Sequence, residues 1–314
     1  MTEVKPGRFP DFFVVGAPRC GTTSISRYLM RNPQICFSRP KEPHYFTGLD
    51  HQPGEDELKQ NYLDRCFSHC TSSHRSLGEG SVSYLYMPGV IEHILHFNPN
   101  ARFIVLVRNP LSMLPSYHLK MRFLLQEDEE DFETAWNLEP ARIRGEKIPK
   151  HCLDSRLLYY QQAAKFGVQI ERLFGLAGRG QTQVIVFDDL VSDTLGIYQR
   201  ALEFLGIDYD GQTNFERSYE SQMYRYRWLQ ELFFVPATSN GKMVDTLQRR
   251  SRKYNKDGSK RKSLIKRLID LNKVPQSPEP LTPQMADIVG ETLRPDILHL
   301  SSLLNRDLSH WLDT

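Results

Sequence analysis

Two stretches of this 314-residue chain carry residue types and spacings suited to chemistry on an anionic ligand. The first is FFVVGAPRCGTTSI, Phe12 to Ile25, where an apolar run breaks into Gly-Ala-Pro and then Cys-Gly-Thr-Thr. A strand, a tight loop and a helix N-terminus in that order cradle phosphates. Small residues let backbone N–H groups approach, and the first helical turn leaves its donors unpaired. Arg19 adds a charge, and Thr22, Thr23 and Ser24 add hydroxyls. The lysine of an ATP- or GTP-binding loop is missing, which argues against metal-assisted γ-phosphoryl transfer. The second stretch, Phe103 to Pro110, ends an aliphatic run in Arg108, with Ser116 eight residues on. An arginine leaving the carboxyl end of a parallel strand lies where such sheets bind ligands, and a serine two helical turns later can share one phosphate with it. Gly-Thr-Thr alone is equally an ordinary helix N-cap; the second stretch gives it weight.

Positioning these residues requires a sheet whose carboxyl edge gathers loops. Aliphatic runs at Phe12–Gly16, Arg102–Val107 and Gln183–Phe187, with a weaker one at Leu77–Gly80, predict parallel strands covered on both faces. Helical patterns at Thr22–Arg31, Pro88–Phe97, Leu111–Phe123, Asp131–Arg144, Ser155–Phe174 and Thr194–Leu205 alternate with them. A helix pair is expected over Thr282–Leu304. Gly211–Pro280 is polar, basic and irregular, and reads as a lid or substrate loop with a helix around Tyr224–Phe234. No repeat or linker interrupts the chain, so one α/β domain over 1–314 is expected.

At this point the sequence resembles the sulfotransferases that use 3′-phosphoadenosine 5′-phosphosulfate (PAPS). PRCGTTS is similar to that family's 5′-phosphosulfate loop, and RNPLSMLPS to its 3′-phosphate motif. PKEPHYF, Pro40–Phe46, resembles the Lys-Glu-Pro-His segment of heparan-type and many bacterial members. VIVFDDL, EFLGI and RPDILHLSSLLNRDLSHW are similar to bacterial members, so the likeness runs nearly the whole length. It implies a P-loop-like three-layer α/β fold with a central, mostly parallel sheet. It also implies PAPS as co-substrate, with its product 3′-phosphoadenosine 5′-phosphate (PAP), and no metal.

The resemblance carries Arg19, Cys20, Gly21, Thr22, Thr23, Ser24, Arg108 and Ser116 over as donor-binding residues. Glu42 becomes the leading base, Lys41 a cation at the sulfuryl group, and His44 a neighbour that orients Glu42. His118, where bacterial relatives often have histidine, is the second candidate base. The chain departs from the heparan type in two places. Gly80 stands where those enzymes carry a lysine before Thr-Pro, leaving Lys41 or Arg19 to supply that cation. Their C-terminal Cys-loop is missing, which counts against a polysaccharide acceptor. A lipid, a sugar, a carrier-bound chain and a small molecule all remain open as acceptors.

Composition narrows the class further. Hydrophobic residues make up 39% and charged residues 25%, the balance of a globular chain. The N-terminus has no apolar segment of signal-peptide kind, and no apolar run is long enough to span a bilayer. Five scattered cysteines read as thiols rather than a disulfide framework, so a cytoplasmic location is expected. Cys66, His69, Cys70 and His74 are too tightly spaced for the usual paired-knuckle zinc site, although the first three fall on one face of a helix. Glu127–Glu133 holds six acids in seven residues, and Lys242–Arg267 holds eleven Lys/Arg against two Asp. Each run reads as a solvated face or mobile loop, and the basic one alternatively as a flap over an anion. With Tyr254 its sole aromatic, the basic run does not suit nucleic acid. Trp136 and Trp228 read as core or as acceptor-pocket walls. Two rival functions remain: a nucleotide kinase using Asp188-Asp189 for Mg²⁺, and a PAPS-binding module without turnover.

Overall fold

The computed structural model describes residues 9–47, 55–216, 221–234 and 269–312. Five strands, Phe12–Gly16 (β1), Ile35–Phe37 (β2), Ser76–Glu79 (β3), Arg102–Val107 (β4) and Thr182–Val186 (β5), form one sheet in the order β2-β3-β1-β4-β5. Every neighbouring pair is parallel. Gln222–Tyr224 (β6) and Lys273–Pro275 (β7) form a separate antiparallel pair. In chain order the helices are Thr22–Arg31 (α1), Glu55–Cys66 (α2), Val90–Phe97 (α3), Pro110–Phe123 (α4), Phe132–Asn137 (α5), Glu139–Ile143 (α6), Tyr160–Ala164 (α7), Phe166–Ala177 (α8), Phe187–Ser192 (α9), Thr194–Leu205 (α10), Arg227–Phe234 (α11) and Pro283–Leu304 (α12). None of the described helices is long and apolar enough to cross a membrane.

Two compact units emerge. The first takes residues 1–108, 166–219 and 296–308 and contains the five-stranded sheet. The second takes 109–165, 220–295 and 309–314, including α4 to α7 and the β6–β7 pair.

In the first unit, Phe12 to Val15 and Phe103 to Val107 are essentially inaccessible. Each such side chain contributes about 1.5–3 kcal/mol through burial, which is why these two runs were readable as central strands. Gly78 of β3 faces Phe12 of β1, whose ring atoms would lie 2.1–2.7 Å from any Cβ there. Asp296, at the start of the final stretch of α12, accepts from the backbone of Gly167 at 2.8 Å and Val168 at 3.0 Å, capping α8. Thr282–Leu304 forms one helix rather than a pair. Pro295 removes a single backbone donor, while Leu293, Ile297 and Leu300 keep a buried face continuous across it.

The cysteines depart from the reading as thiols. Cys36 of β2 and Cys70 form a disulfide with Cα atoms 5.7 Å apart, across a sequence separation of 34. Closing a loop of that length removes unfolded-state entropy worth about 3–4 kcal/mol. His69 Nε2 lies 3.4 Å from Cys36 Sγ and donates to Phe37 O at 3.1 Å. Cys36, His69 and Cys70 are the described group close enough to share an ion, but bonded sulfurs offer no thiolate. Cys66 ends α2, so His69 and Cys70 do not continue its face, and Cys66 and His74 stand outside the group.

In the acidic run, in the second unit, Asp128, Glu130, Asp131 and Glu133 are exposed and Glu129 is half-buried, as a solvated run would be, but Glu127 departs from that reading. Glu127 is fully buried, and its two oxygens receive Arg142 at 2.7 and 2.8 Å, the Tyr160 hydroxyl at 2.9 Å, and the N–H groups of Asp128 and Glu129 at 3.0 Å each. Asp131 caps α5 through Thr134 N at 2.8 Å, and those Thr134 bonds hold its carboxyl below the usual range. Breaking one side of a buried pair like Glu127–Arg142 costs about 3–5 kcal/mol. Trp136 lies in the core and Trp228 is 65% exposed, so only the first is a core residue. The basic run Lys242–Arg267 lies outside the described residues.

Candidate active site

The sheet order places β1 between β3 and β4, so the chain reverses direction of progress at β1 and leaves a crevice at the carboxyl ends of these strands. Four segments of the first unit end there: the loop after β1, the segment after β2, the turn after β3, and Arg108 after β4.

The β1 loop is tied down by Ala17 N donating to Leu106 O at 2.7 Å. Arg19 (φ 62°) and Gly21 (φ 92°) both take the left-handed conformation. At Gly21 only glycine fits, since a Cβ would meet the Phe187 ring at 2.9 Å. At Arg19 the conformation costs about 1 kcal/mol or more, the kind of strain kept at functional loops. No side chain caps α1, so its first N–H groups follow a glycine turn without a competing carboxylate or hydroxyl. Thr22 is buried, while Thr23 and Ser24 are half-buried. Cys20 is wholly buried and its thiol faces Pro18 O at 3.4 Å. Burial pushes that thiol far above its usual range despite Arg108 and Arg19, so Cys20 offers the loop its backbone and not a thiolate. The Arg108 guanidinium lies 4.6 Å above the Phe187 ring and donates to Arg19 O at 3.4 Å, linking the two sequence stretches.

After β2, Lys41 Nζ contacts Glu42 Oε1 at 2.6 Å and His44 Nε2 lies 3.6 Å from Glu42 Oε2. Partial burial opposes ionisation of Glu42, but the His44 and Lys41 hydrogen bonds and charges outweigh it and hold the carboxyl at about 2. His44 has a positive φ of 47° and is fixed from the β3 turn. Its N–H donates to Ser81 Oγ at 3.0 Å, and its Nδ1 is 2.7 Å from Ser83 Oγ. Ser81 in turn donates to Glu79 Oε1 at 2.6 Å, and Tyr62 donates to Glu79 Oε2. Burial pushes the Glu79 carboxyl up to about 7 against the bonds from Ser81, Tyr62 and Tyr84. Glu79, Ser81 and Ser83 were missed from sequence. The available signal was a lone acid closing a short, otherwise uncharged strand, SLGE.

Lys41, Glu42 and His44 therefore sit together, and Arg19 and Arg108 sit together, within one unit. Ser116 and His118 belong to the second unit. Both lie on α4, which Asn109 caps by accepting from Leu111 N at 2.9 Å. Ser116 and His118 are buried, and His118 Nε2 donates to Glu129 O at 3.0 Å.

The sequence model of the Sulfotransferase family matches residues 10–211, well over half the chain and all of the strands just described in the large sheet. The chain belongs to the sulfotransferase family. Human carbohydrate sulfotransferase 15 is 29% identical over an alignment covering 35% of this chain and 27% of that protein. The membrane-associated sulfotransferase kil1 of Dictyostelium discoideum is 30% identical, over 37% of this chain and 24% of its own. The chain thus spans about a quarter of the length of these curated relatives. A sulfotransferase from Alicyclobacillus acidocaldarius has a similar fold, with a TM-score of 0.65 at 23% identity, covering 97% of this chain and 99% of that one.

The sulfotransferase fold explains one departure from the heparan pattern. A Cβ at Gly80 would lie 3.0 Å from Ser26 Oγ and 3.2 Å from Phe37 Cζ, so a lysine there would require both neighbours to shift by a few tenths of an ångström. Lys41 is the cation present beside that turn, its carbonyl accepting from Gly80 N at 3.3 Å. Of the two acids that a kinase would use, Asp188 is exposed and Asp189 is engaged elsewhere. Asp189 is held by Arg306, through NH1 and, at 2.9 Å, through NH2.

Proposed function

We propose that this sulfotransferase moves the sulfuryl group of PAPS to a hydroxyl of its acceptor by in-line displacement at sulfur. The observation that carries this reading is the convergence, at one sheet edge, of an uncapped α1 N-terminus, the Arg19–Arg108 pair and the Lys41–Glu42–His44 array. The acceptor oxygen bonds to sulfur as the sulfur–oxygen bond to the 5′-phosphate breaks, and PAP leaves carrying the negative charge. Arg19, Lys41 and the amides of residues 20–24 meet that charge, which is where preorganised donors contribute most. Arg108 and Ser116 take the 3′-phosphate.

The acceptor's proton goes to Glu42. Held at about 2 by Lys41 and His44, this carboxylate is a weak base as it stands. When the donor's phosphosulfate draws Lys41 away, Glu42 loses a stabilising charge and becomes more basic as the nucleophile arrives. His118 is the alternative base for that same proton, in place of Glu42. No metal is assigned a role, because cations of the chain itself face the leaving phosphate. The names of the carbohydrate sulfotransferase relatives favour a sugar hydroxyl among the possible acceptors.

The kinase alternative is disfavoured by the Asp189–Arg306 pair. The test is transfer of label from ³⁵S-PAPS to a panel of sugars, lipids and small hydroxyl compounds. Labelled product with any acceptor supports the reading. PAP binding without transfer to any of them would favour a binding module.

A further inference from the structure

His118 is fixed more tightly than a base needs to be for packing alone. Its ring lies edge-on to Phe132 and Tyr160, with centroids 5.7 and 5.9 Å away, and its Nε2 is 3.0 Å from the carbonyl oxygen of Glu129. A carbonyl can only accept, so Nε2 must carry the hydrogen. Burial lowers the affinity of the ring for a second proton, in spite of that carbonyl and Glu127. The remaining nitrogen, Nδ1, is then the one with a free lone pair.

The carbonyl that dictates this choice is itself held by an unusual device. The chain from Glu127 to Asp131 folds back on its own carboxylates. Glu127 Oε1 accepts from Asp128 N and Glu129 N, and Glu129 Oε1 accepts from Glu130 N at 2.9 Å and Asp131 N at 3.3 Å. Glu127 is anchored in turn by both terminal nitrogens of Arg142 and by Tyr160. Arg142 is 1% exposed, and its Nε adds a bond to Lys147 O at 3.4 Å. The four carboxylate bonds fix the backbone N–H groups on both sides of the Glu129 carbonyl.

We propose that the buried Glu127–Arg142 pair is a positioning device that keeps the hydrogen of His118 on Nε2 and leaves Nδ1 to accept a hydrogen bond from the acceptor hydroxyl. Where His118 replaces Glu42 as the base, a proton arriving at Nδ1 gives an imidazolium whose Nε2–H still points at Glu129 O, so no rearrangement accompanies the transfer. The inference rests on the reading of His118 as an acceptor-facing group, and its test separates the two.

The full chain labelled with ¹⁵N-histidine, examined by long-range ¹H–¹⁵N correlation at pH 8, reads the tautomer directly, with His118→Asn identifying the signal. A single Nε2–H form is expected, and an Nδ1–H form overturns the proposal. In Glu127→Gln the single form is expected to give way to a mixture. Where that variant does not fold, Tyr160→Phe removes one bond to Glu127, keeps the ion pair, and should shift the population in the same direction by less. An unchanged tautomer in a folded variant of either residue overturns the link to the clamp. His118→Asn, whose side-chain oxygen falls near the Nδ1 position, should retain acceptor KM better than His118→Gln in the ³⁵S assay. Normal kcat in His118→Ala would overturn the role given to His118, while the tautomer result would stand by itself.

Discussion

Glu79 should make the protein less stable as pH rises through neutrality, and replacing it with glutamine should remove that loss. Its carboxyl lies at the end of β3 with no accessible surface, facing the hydroxyls of Tyr62 and Ser81. Burial moves its pKa from 4.5 to about 7. For an acid whose folded pKa is raised, the folded state holds its proton where the unfolded state has released it. Stability from this group is therefore complete below pH 4.5 and is lost progressively as pH climbs to about 7. At about 1.4 kcal/mol per unit, a shift of this size corresponds to about 3 kcal/mol, with relaxation around the site reducing it. Glu139, also buried and also pushed up to about 7, adds a slope in the same direction, so the wild-type curve alone does not isolate Glu79. The difference between wild type and Glu79→Gln does. Urea unfolding of both proteins at pH 5 and pH 8 should show the variant gaining about 2–3 kcal/mol relative to wild type at the higher pH. A difference that is the same at both pH values refutes the reasoning, because it would mean that Glu79 ionises in the folded state as easily as in the unfolded one.

Three further outcomes follow from the site and its support. Glu42→Gln should lower kcat by ~10²–10⁴-fold while PAP affinity stays within a few-fold, because Glu42 meets a proton and not a phosphate; equal kcat with collapse in His118→Ala would make His118 the base. Reducing Cys36–Cys70, or the variant Cys36→Ser, should cost about 3–4 kcal/mol in urea unfolding, and no loss would mean that β2 is held without the bridge. In the proposed reaction Arg19 and Lys41 supply the cations, so transfer should survive excess EDTA; loss restored by Mg²⁺ alone would bring the kinase reading back.

What the sequence made legible was whatever repeats locally. β1 and β4 appear at the residues expected because both faces of each are covered, so Phe12–Val15 and Phe103–Val107 are unbroken apolar runs. β3 and β5 were each placed one residue late, at Leu77–Gly80 and Gln183–Phe187, because single polar residues blur their edges. β2 was missed: ICF is only three residues long, and its partner Ser76–Gly78 lies far along the chain. The helix expected from Tyr224 begins at Arg227, since Gln222–Tyr224 pairs with Lys273–Pro275 instead. Within the site, Arg19 and Arg108 stood out because they sit where apolar runs break, and Lys41 and Glu42 through the likeness of PKEPHYF to the family's segment. Ser81 and Ser83 reach His44 across 37 and 39 residues, Glu79 meets Tyr62 across 17, and Glu127 finds Arg142 15 residues on, so none leaves a periodic trace. The acidic run shows how charge counting misleads. Six acids look solvated until one of them is found at the centre of a buried network.

The central claim is that the loop after β1 and the arginine after β4 bind the two ends of PAPS, and calorimetry tests it most directly. Titrating the protein with PAP and, separately, with adenosine 5′-phosphosulfate compares ligands with and without the 3′-phosphate. The account predicts tight PAP binding, much weaker binding of adenosine 5′-phosphosulfate, and a drop in PAP affinity for Arg108→Ala that brings it toward the latter. Equal affinities for the two ligands, or PAP binding untouched by Arg108→Ala, would contradict it.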